Sequence, residues 1–278
     1  MKYGFIIPRG DLHTIIEMAV DAEQAGWDGV FYWDGIYIES MGEMFDPWVT
    51  LAAIAVRTQR VRLGLVLTPP SRRRPWKLAR ETVTLDHLSN GRLILPVGLG
   101  TPDDGGFSKV GEGIDRKQRA ELLDESLAIL TGLWSGQPFS FHGKHYHVDE
   151  MRFLPPPVQQ PRIPIWIAGV WPFKKSMERV LRYDGILPER RNVDGSPASA
   201  TPDDIKAIRA YVAERRTQQT PFDILGEGET PGDNSARAEE IIGPFAEAGI
   251  TWWMETRWGE TSLDKVRRRI RQGPPKIA

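Results

Sequence analysis

Cysteine is absent from all 278 residues. That excludes a disulfide framework, a thiol nucleophile and any cysteine-ligated metal. An excess of either charge is missing too. The 36 lysines and arginines stand against 37 aspartates and glutamates, a formal net charge of −1. A nucleic-acid groove needs a clear basic excess, so no such partner is expected. Long apolar runs are lacking: none approaches the roughly 18 residues of a membrane span. The opening KYGFIIP has strand character, with no basic n-region and no cleavage site. A cytoplasmic protein acting on a small molecule is the expectation, with no membrane partner.

What is present is an alternation. Tyr3–Pro8 reads as a strand; Asp11–Ala25 carries Leu12, Ile15, Ile16, Ala19 and Val20 on one face of a helix that Gly26 ends. Gly29–Trp33 is the second strand, and Pro47–Arg57 a helix with Asp46 as N-cap and Pro47 in first position. Val61–Leu67 and Leu93–Val97 follow as strands, with helices over Pro75–Leu88 and Arg116–Trp134. Later strands fall at Ile163–Ala168, Gly185–Leu187, Phe222–Leu225 and Ile250–Met254. Helices around Ser176–Tyr183, Pro202–Arg215, Ala236–Ala248 and Ser262–Arg271 follow them in turn.

Nearly all these strands are continuously apolar, as when both faces of a parallel sheet are buried. Eight strand–helix units with short connections predict a (β/α)8 TIM barrel, class α/β. A doubly wound open sheet would want a glycine-rich turn after the first strand, and Pro8-Arg9-Gly10-Asp11 is not one. The expected organisation is one barrel domain over 1–278. Its insertion, 135–162, between the fourth helix and fifth strand is too short for a core of its own. Asn90-Gly91 is expected to end a helix at the bottom of the barrel in a left-handed turn. Gly98-Leu99-Gly100 would lie at the top, where glycine lets a flat ligand approach the backbone or simply shapes a tight loop. Pro96 breaks the strand pattern, and requires either a bulge or a position where no partner needs its N–H.

The candidate chemistry is sparse. His145-Tyr146-His147 has metal-pair spacing but sits in the insertion, away from the strand ends where barrel metal sites form, so no metal is expected. Asp103 and Asp104 after the fourth strand, with Glu227 and Glu229 after the seventh, could pair as glycosidase carboxylates or be merely solvated. No G-x-S-x-G elbow supports a serine triad. His87 is placed at the barrel bottom, serving its helix end. Trp33, Trp171, Trp252, Trp253 and Trp258 suggest an aromatic mouth for a planar ligand, although core packing claims some of them. Arg72-Arg73-Arg74 and Lys174-Lys175 are basic clusters at the top face, read as a phosphate site or as solvated charge.

The stretch RRRPWKLARETVTLDHLSNGRLILPVGLG resembles the signature of the bacterial luciferase-like flavin-dependent oxidoreductases. AEQAGWDGVFYWD, RAELLDESLAILTGLW, FHGKHYHVDEMRFLPPPVQQPRIPIWIAG and RYDGILPE are similar to the family's other landmarks, in the same order. The resemblance implies a (β/α)8 barrel with an insertion that binds reduced FMN or the deazaflavin coenzyme F-420 at its top face. It places the ring against Gly98 and Gly100, and the phosphate turn at Gly169, Val170 and Trp171, with Phe173 and Lys174 opening the next helix. It places a non-proline cis peptide at Leu65-Val66. Two departures stand out: Asp34-Gly35 where many members read Asp-His, and Pro96 where glycine is common.

The expected activity is therefore flavin-dependent oxidoreduction, with monooxygenation by reduced FMN and O₂ ahead of deazaflavin hydride transfer. Flavin binding without turnover is the third reading. No acid–base dyad is identifiable; Asp34, Trp33 and Glu255 are the catalytic candidates. The expected partners are a small organic substrate, a flavin reductase and a second copy in a homodimer.

Overall fold

The structure is a computed structural model that describes residues 1–101, 105–192 and 194–276. Its elements run β1 (Lys2–Ile6), α1 (Leu12–Gln24), β2 (Gly29–Tyr32), α2 (Pro47–Arg57), β3 (Arg62–Leu65), α3 (Pro75–Leu88) and β4 (Leu95–Val97). Then come α4 (Gly105–Ser108), α5 (Arg116–Trp134), β5 (Pro138–His142), β6 (His147–Arg152), β7 (Ile165–Val170) and α6 (Lys174–Val180). The last part is β8 (Gly185–Arg191), β9 (Pro197–Ser199), α7 (Pro202–Arg215), β10 (Asp223–Gly228), α8 (Ser235–Ala248), β11 (Trp252–Glu255) and α9 (Leu263–Arg271).

The expected barrel is there. Eight parallel strands follow one another as β3-β2-β1-β11-β10-β8-β7-β4. Between β4 and β3 only two isolated bridges, Leu63–Leu93 and Thr68–Val97, close the ring. Pro96 lies in that interval, and β3 covers five residue steps there against four on β4. The missing N–H thus falls where the ladder is already interrupted. Its carbonyl still accepts from Thr68 N–H at 2.9 Å.

Capping fixes the helices locally. Asp11, Asp46 and Asp115 each accept an N–H from the first turn, and Thr201 with Asp204 forms a capping box. The bounds of α2, α3, α5 and α7 are those expected from sequence. Asn90 (φ 53°) and Gly91 (φ 75°) make the left-handed exit from α3. Several strands differ: β8 runs four residues beyond Leu187, because its polar end is paired on one side with β7 and on the other with β9.

The period of two along each strand divides the core. Leu63 and Leu65 face the helices, while Ile6, Phe31, Ile94, Trp166, Leu225, Trp252 and Met254 fill the barrel. Phe31 stacks on Trp166 at 5.8 Å and meets Trp252 edge-on at 6.0 Å. Trp252 is level with Lys2, at the start of β1, so these rings plug the lower end. The aromatic-mouth expectation is corrected here. Trp252 belongs to the plug, Trp253 faces outward onto Phe245, and Trp33 is buried with its Nε1–H on Pro8 O. Trp258 reaches the edge of the mouth, where its Nε1–H donates to Glu227.

The insertion is a hairpin, β5 against β6, lying on α5. The Glu125 carboxylate accepts the N–H groups of Lys144, His145 and Tyr146 and so fastens its turn. No helix among the described residues is long and apolar enough to cross a membrane.

Candidate active site

The upper end of the barrel has a tight half and an open half. On the tight half, Asp34 at the end of β2 is buried and held by two guanidiniums. Arg73 donates to both carboxylate oxygens at 2.8 Å, and Arg72 donates to Oδ1 at 3.2 Å and to the Asp34 carbonyl at 2.5 Å. Arg72 also lies over the Phe107 ring, as does Arg119 from α5. Arg119 donates to the carbonyls of Leu99 and Gly100. One polar chain therefore ties the loops after β2, β3 and β4 together. Arg72 and Arg73, two of the three arginines in the cluster read as a phosphate site, are committed to the Asp34 carboxylate.

Glu255, at the end of β11, is equally enclosed. It accepts from Thr230 N–H (2.9 Å), Thr230 hydroxyl (2.7 Å) and Trp253 Nε1–H (3.3 Å), and pairs with Arg257 and Arg269. Asp34, Trp33 and Glu255 all sit at the top of the strands, but each is turned into a structural partner.

The open half lies between β8 and β10. These strands pair only at Asp223–Gly185 and Ile224–Ile186, then part. A cavity of about 440 Å³ occupies the gap, between Leu187–Glu189 on one side and Leu225–Gly228 on the other. Val66 and Met254 bound it toward the barrel axis, and Ile205 and Phe245 toward the helices. Alternation explains its polarity. Leu187 and Leu225 point into the barrel, so Glu189 and Glu227, two residues on, point into the mouth one layer higher. Both are reached by solvent yet hemmed by protein in a concavity. That crowding raises both carboxyl pKa values, and for Glu227 the neighbouring Glu189 adds to it. The cations Arg191 and Arg116 oppose the rise at Glu189.

The glycine-rich ends lie nearby. Val66 faces the cavity, whereas Leu65 packs outward. The non-proline cis bond is at Val66-Leu67, one residue beyond the expected Leu65-Val66. Val66 N–H still donates to Tyr32 O, so the strand leaves its ladder one step later. A Cβ on Gly98 would come within 2.8 Å of Leu67 and 2.9 Å of Ala168. Gly100 has φ +72°, with Pro69 2.9 Å from a Cβ, and a Cβ on Gly169 would meet Val180 at 2.7 Å. Neighbouring side chains thus leave no room for a Cβ at these glycines. Gly98→Val should cost about 1–3 kcal/mol by overpacking. Chemical denaturation would measure that loss, and an unchanged midpoint would remove the packing explanation.

In the turn after β7, Val170 N–H donates to the Ser176 hydroxyl and Trp171 N–H to Glu189 O. Trp171 itself packs edge-on against Tyr211 at 5.6 Å. The first bond back along α6 is Met177 N–H to Phe173 O, so the amides of residues 174–176 precede the helical ladder. Lys174 is highly exposed and 3.9 Å from Glu178.

The remaining candidates separate. Glu229 pairs with Arg257, and Asp103 and Asp104, the carboxylates expected to oppose Glu227 and Glu229, lie outside the described residues. His145 bonds Glu121, while His142 and His147 face each other at 2.8 Å on the exposed hairpin. The described residues contain no group of three or more metal-ligating side chains. His87, in the last turn of α3, bonds the Pro156 carbonyl. Glu189 was not singled out in the sequence. Its spacing of two from Leu187 is the available signal, and it lies beyond the apolar run Gly185–Leu187 that marks the strand.

A family model described as luciferase-like monooxygenase matches residues 4–269. The uncharacterized protein Rv0953c of Mycobacterium tuberculosis is 33% identical over 150 residues, 54% of this chain and 51% of that protein. The chain thus spans about half the length of the curated relatives it matches. An F420-dependent secondary alcohol dehydrogenase, solved with an F420-acetone adduct, superposes with TM-score 0.79 at 17% identity, covering 99% of this chain and 98% of that one. Monooxygenase RslO1 from Streptomyces bottropensis gives 0.76 at 18%, covering 98% and 97%. The oxygenating constituent of 3,6-diketocamphane monooxygenase from a Pseudomonas putida plasmid, in complex with FMN, gives 0.62 at 19%, covering 89% and 72%.

Proposed function

The chain belongs to the luciferase-like monooxygenase family, and on that premise we propose that it is a flavin-dependent oxidoreductase using reduced FMN and O₂ on a small organic substrate. The observation that carries this reading is the mouth cavity, whose wall toward the barrel axis is the apolar pair Val66 and Met254. A planar ring system suits such a boundary. The chemistry that a bound reduced flavin supplies is two-electron transfer, to O₂ in this reading. The chain's own part is to bind, orient and exclude water. Val66 would lie against the ring, with Gly98 and Gly100 at its edge. The turn Gly169-Val170-Trp171 would deliver α6 to the phosphate. Since Val170 and Trp171 amides are already bonded, the phosphate would fall to the first-turn amides and to Lys174. Asp34 and Glu255 act as positioning residues that hold the rim.

Lys174 provides the test. A charge-assisted contact is worth about 1.5–3 kcal/mol, so Lys174→Ala should weaken FMN binding roughly 10- to 100-fold. Riboflavin, without a phosphate, should be almost unaffected. Equal losses for both ligands would assign Lys174 to folding or ring contacts; no loss for either would put the phosphate elsewhere on the rim. Oxygen uptake coupled to substrate separates monooxygenation from deazaflavin hydride transfer, which consumes none. A flavin that binds and does neither marks a non-catalytic binding protein.

A further inference from the structure

Two carboxyls point into the mouth, but their surroundings differ. Glu189 has Arg191 and Arg116 close enough to oppose its burial. Glu227 has no cationic partner among the described residues; the one group bonding it is the Trp258 indole, whose Nε1–H donates to Oε1 at 3.3 Å. The charged group that faces it is Glu189. Glu255, beside Gly228 in the ladder, is turned away to Thr230 and Arg269. Glu227 is therefore a lone carboxyl at the edge of a partly apolar cavity, and a ligand that fills the cavity displaces the water that otherwise solvates it, so the bound carboxylate needs a counter-charge. A neutral ligand would leave it uncompensated. An anion would be repelled by both glutamates. A protonated amine answers both features, since an ammonium is recognised by a carboxylate and by an adjacent aromatic ring such as an indole.

We propose that the gap between β8 and β10 is a substrate pocket for an amine, its apolar body lodged between Leu187, Leu225 and Phe245 and its ammonium group at Glu227. The proposal rests on the flavin reading only for the word substrate, because binding is measured without cofactor. Benzylamine, benzyl alcohol and benzoate share one apolar body and differ in the charge of the head. Titrated calorimetrically against the full chain at pH 7.5, benzylamine should bind at least about 10-fold more tightly than benzyl alcohol, and benzoate least of the three. Glu227→Gln, which keeps shape and removes charge, should reduce that preference to within about twofold while leaving benzyl alcohol unchanged.

Wild-type pH dependence gives a second reading that needs no variant. Glu227 titrates above the ordinary glutamate range, so benzylamine affinity should fall as pH drops through that raised value, while benzyl alcohol stays flat. Equal binding of benzylamine and benzyl alcohol, a preference that survives Glu227→Gln, a pH-independent affinity, or tightest binding by benzoate would each overturn the proposal. Failure to bind flavin in a separate titration would strike the oxidoreductase reading and leave the amine pocket standing.

Discussion

Replacing Asp34 with alanine is expected to lower the unfolding free energy by about 3–5 kcal/mol, the usual cost of removing one member of a buried ion pair. The Asp34 and Arg72 side chains are almost fully enclosed, and Arg73 is mostly so. Without the carboxylate two guanidiniums face each other across a desolvated site. The damage should spread, because Arg72 shares the Phe107 ring with Arg119, which holds the Leu99 and Gly100 carbonyls. Asp34→Asn keeps the shape and should recover only part of the loss. Denaturant unfolding of both variants makes the check. An unchanged midpoint for Asp34→Ala would mean that solvent enters the site freely and that the clamp holds nothing.

Glu255→Ala should cost a similar 3–5 kcal/mol for the same reason. Arg269 is itself buried and would lose its carboxylate partner, keeping only its bonds to Thr230 and the Gly273 carbonyl. The Thr230 N–H and hydroxyl would be left without their acceptor. If Glu255 were instead a group acting directly on substrate, stability would change little while turnover collapsed. Measuring unfolding and flavin affinity on the same variant distinguishes these: the structure predicts a large shift in the first.

Local signals were legible in the sequence, and long-range ones were not. Asp46-Pro47 and the Pro75 and Pro202 positions announced α2, α3 and α7, because a cap or a proline at the first turn acts within a few residues. Strand ends were less legible: an apolar run marks the packed layer, while pairing continues into polar residues, as in Pro188–Arg191 of β8. β9, three residues in a polar loop, carries no pattern at all. At the site, the glycine ends of β4 and β7 were visible, but their packing partners were not. Arg72 and Arg73 looked like a phosphate cradle because their partner, Asp34, is 38 and 39 residues away. The β8–β10 gap and the facing of Glu189 and Glu227 depend on register between strands that sequence spacing does not connect.

The central claim is that this barrel mouth holds a flavin. Equilibrium titration of the protein with FMN, followed by flavin fluorescence and run in parallel with the deazaflavin, tests it most directly. The prediction is saturable FMN binding at one site per chain, tighter than that of the deazaflavin. Saturation by the deazaflavin alone would replace the cofactor and leave the site. Absence of binding by either would contradict the account.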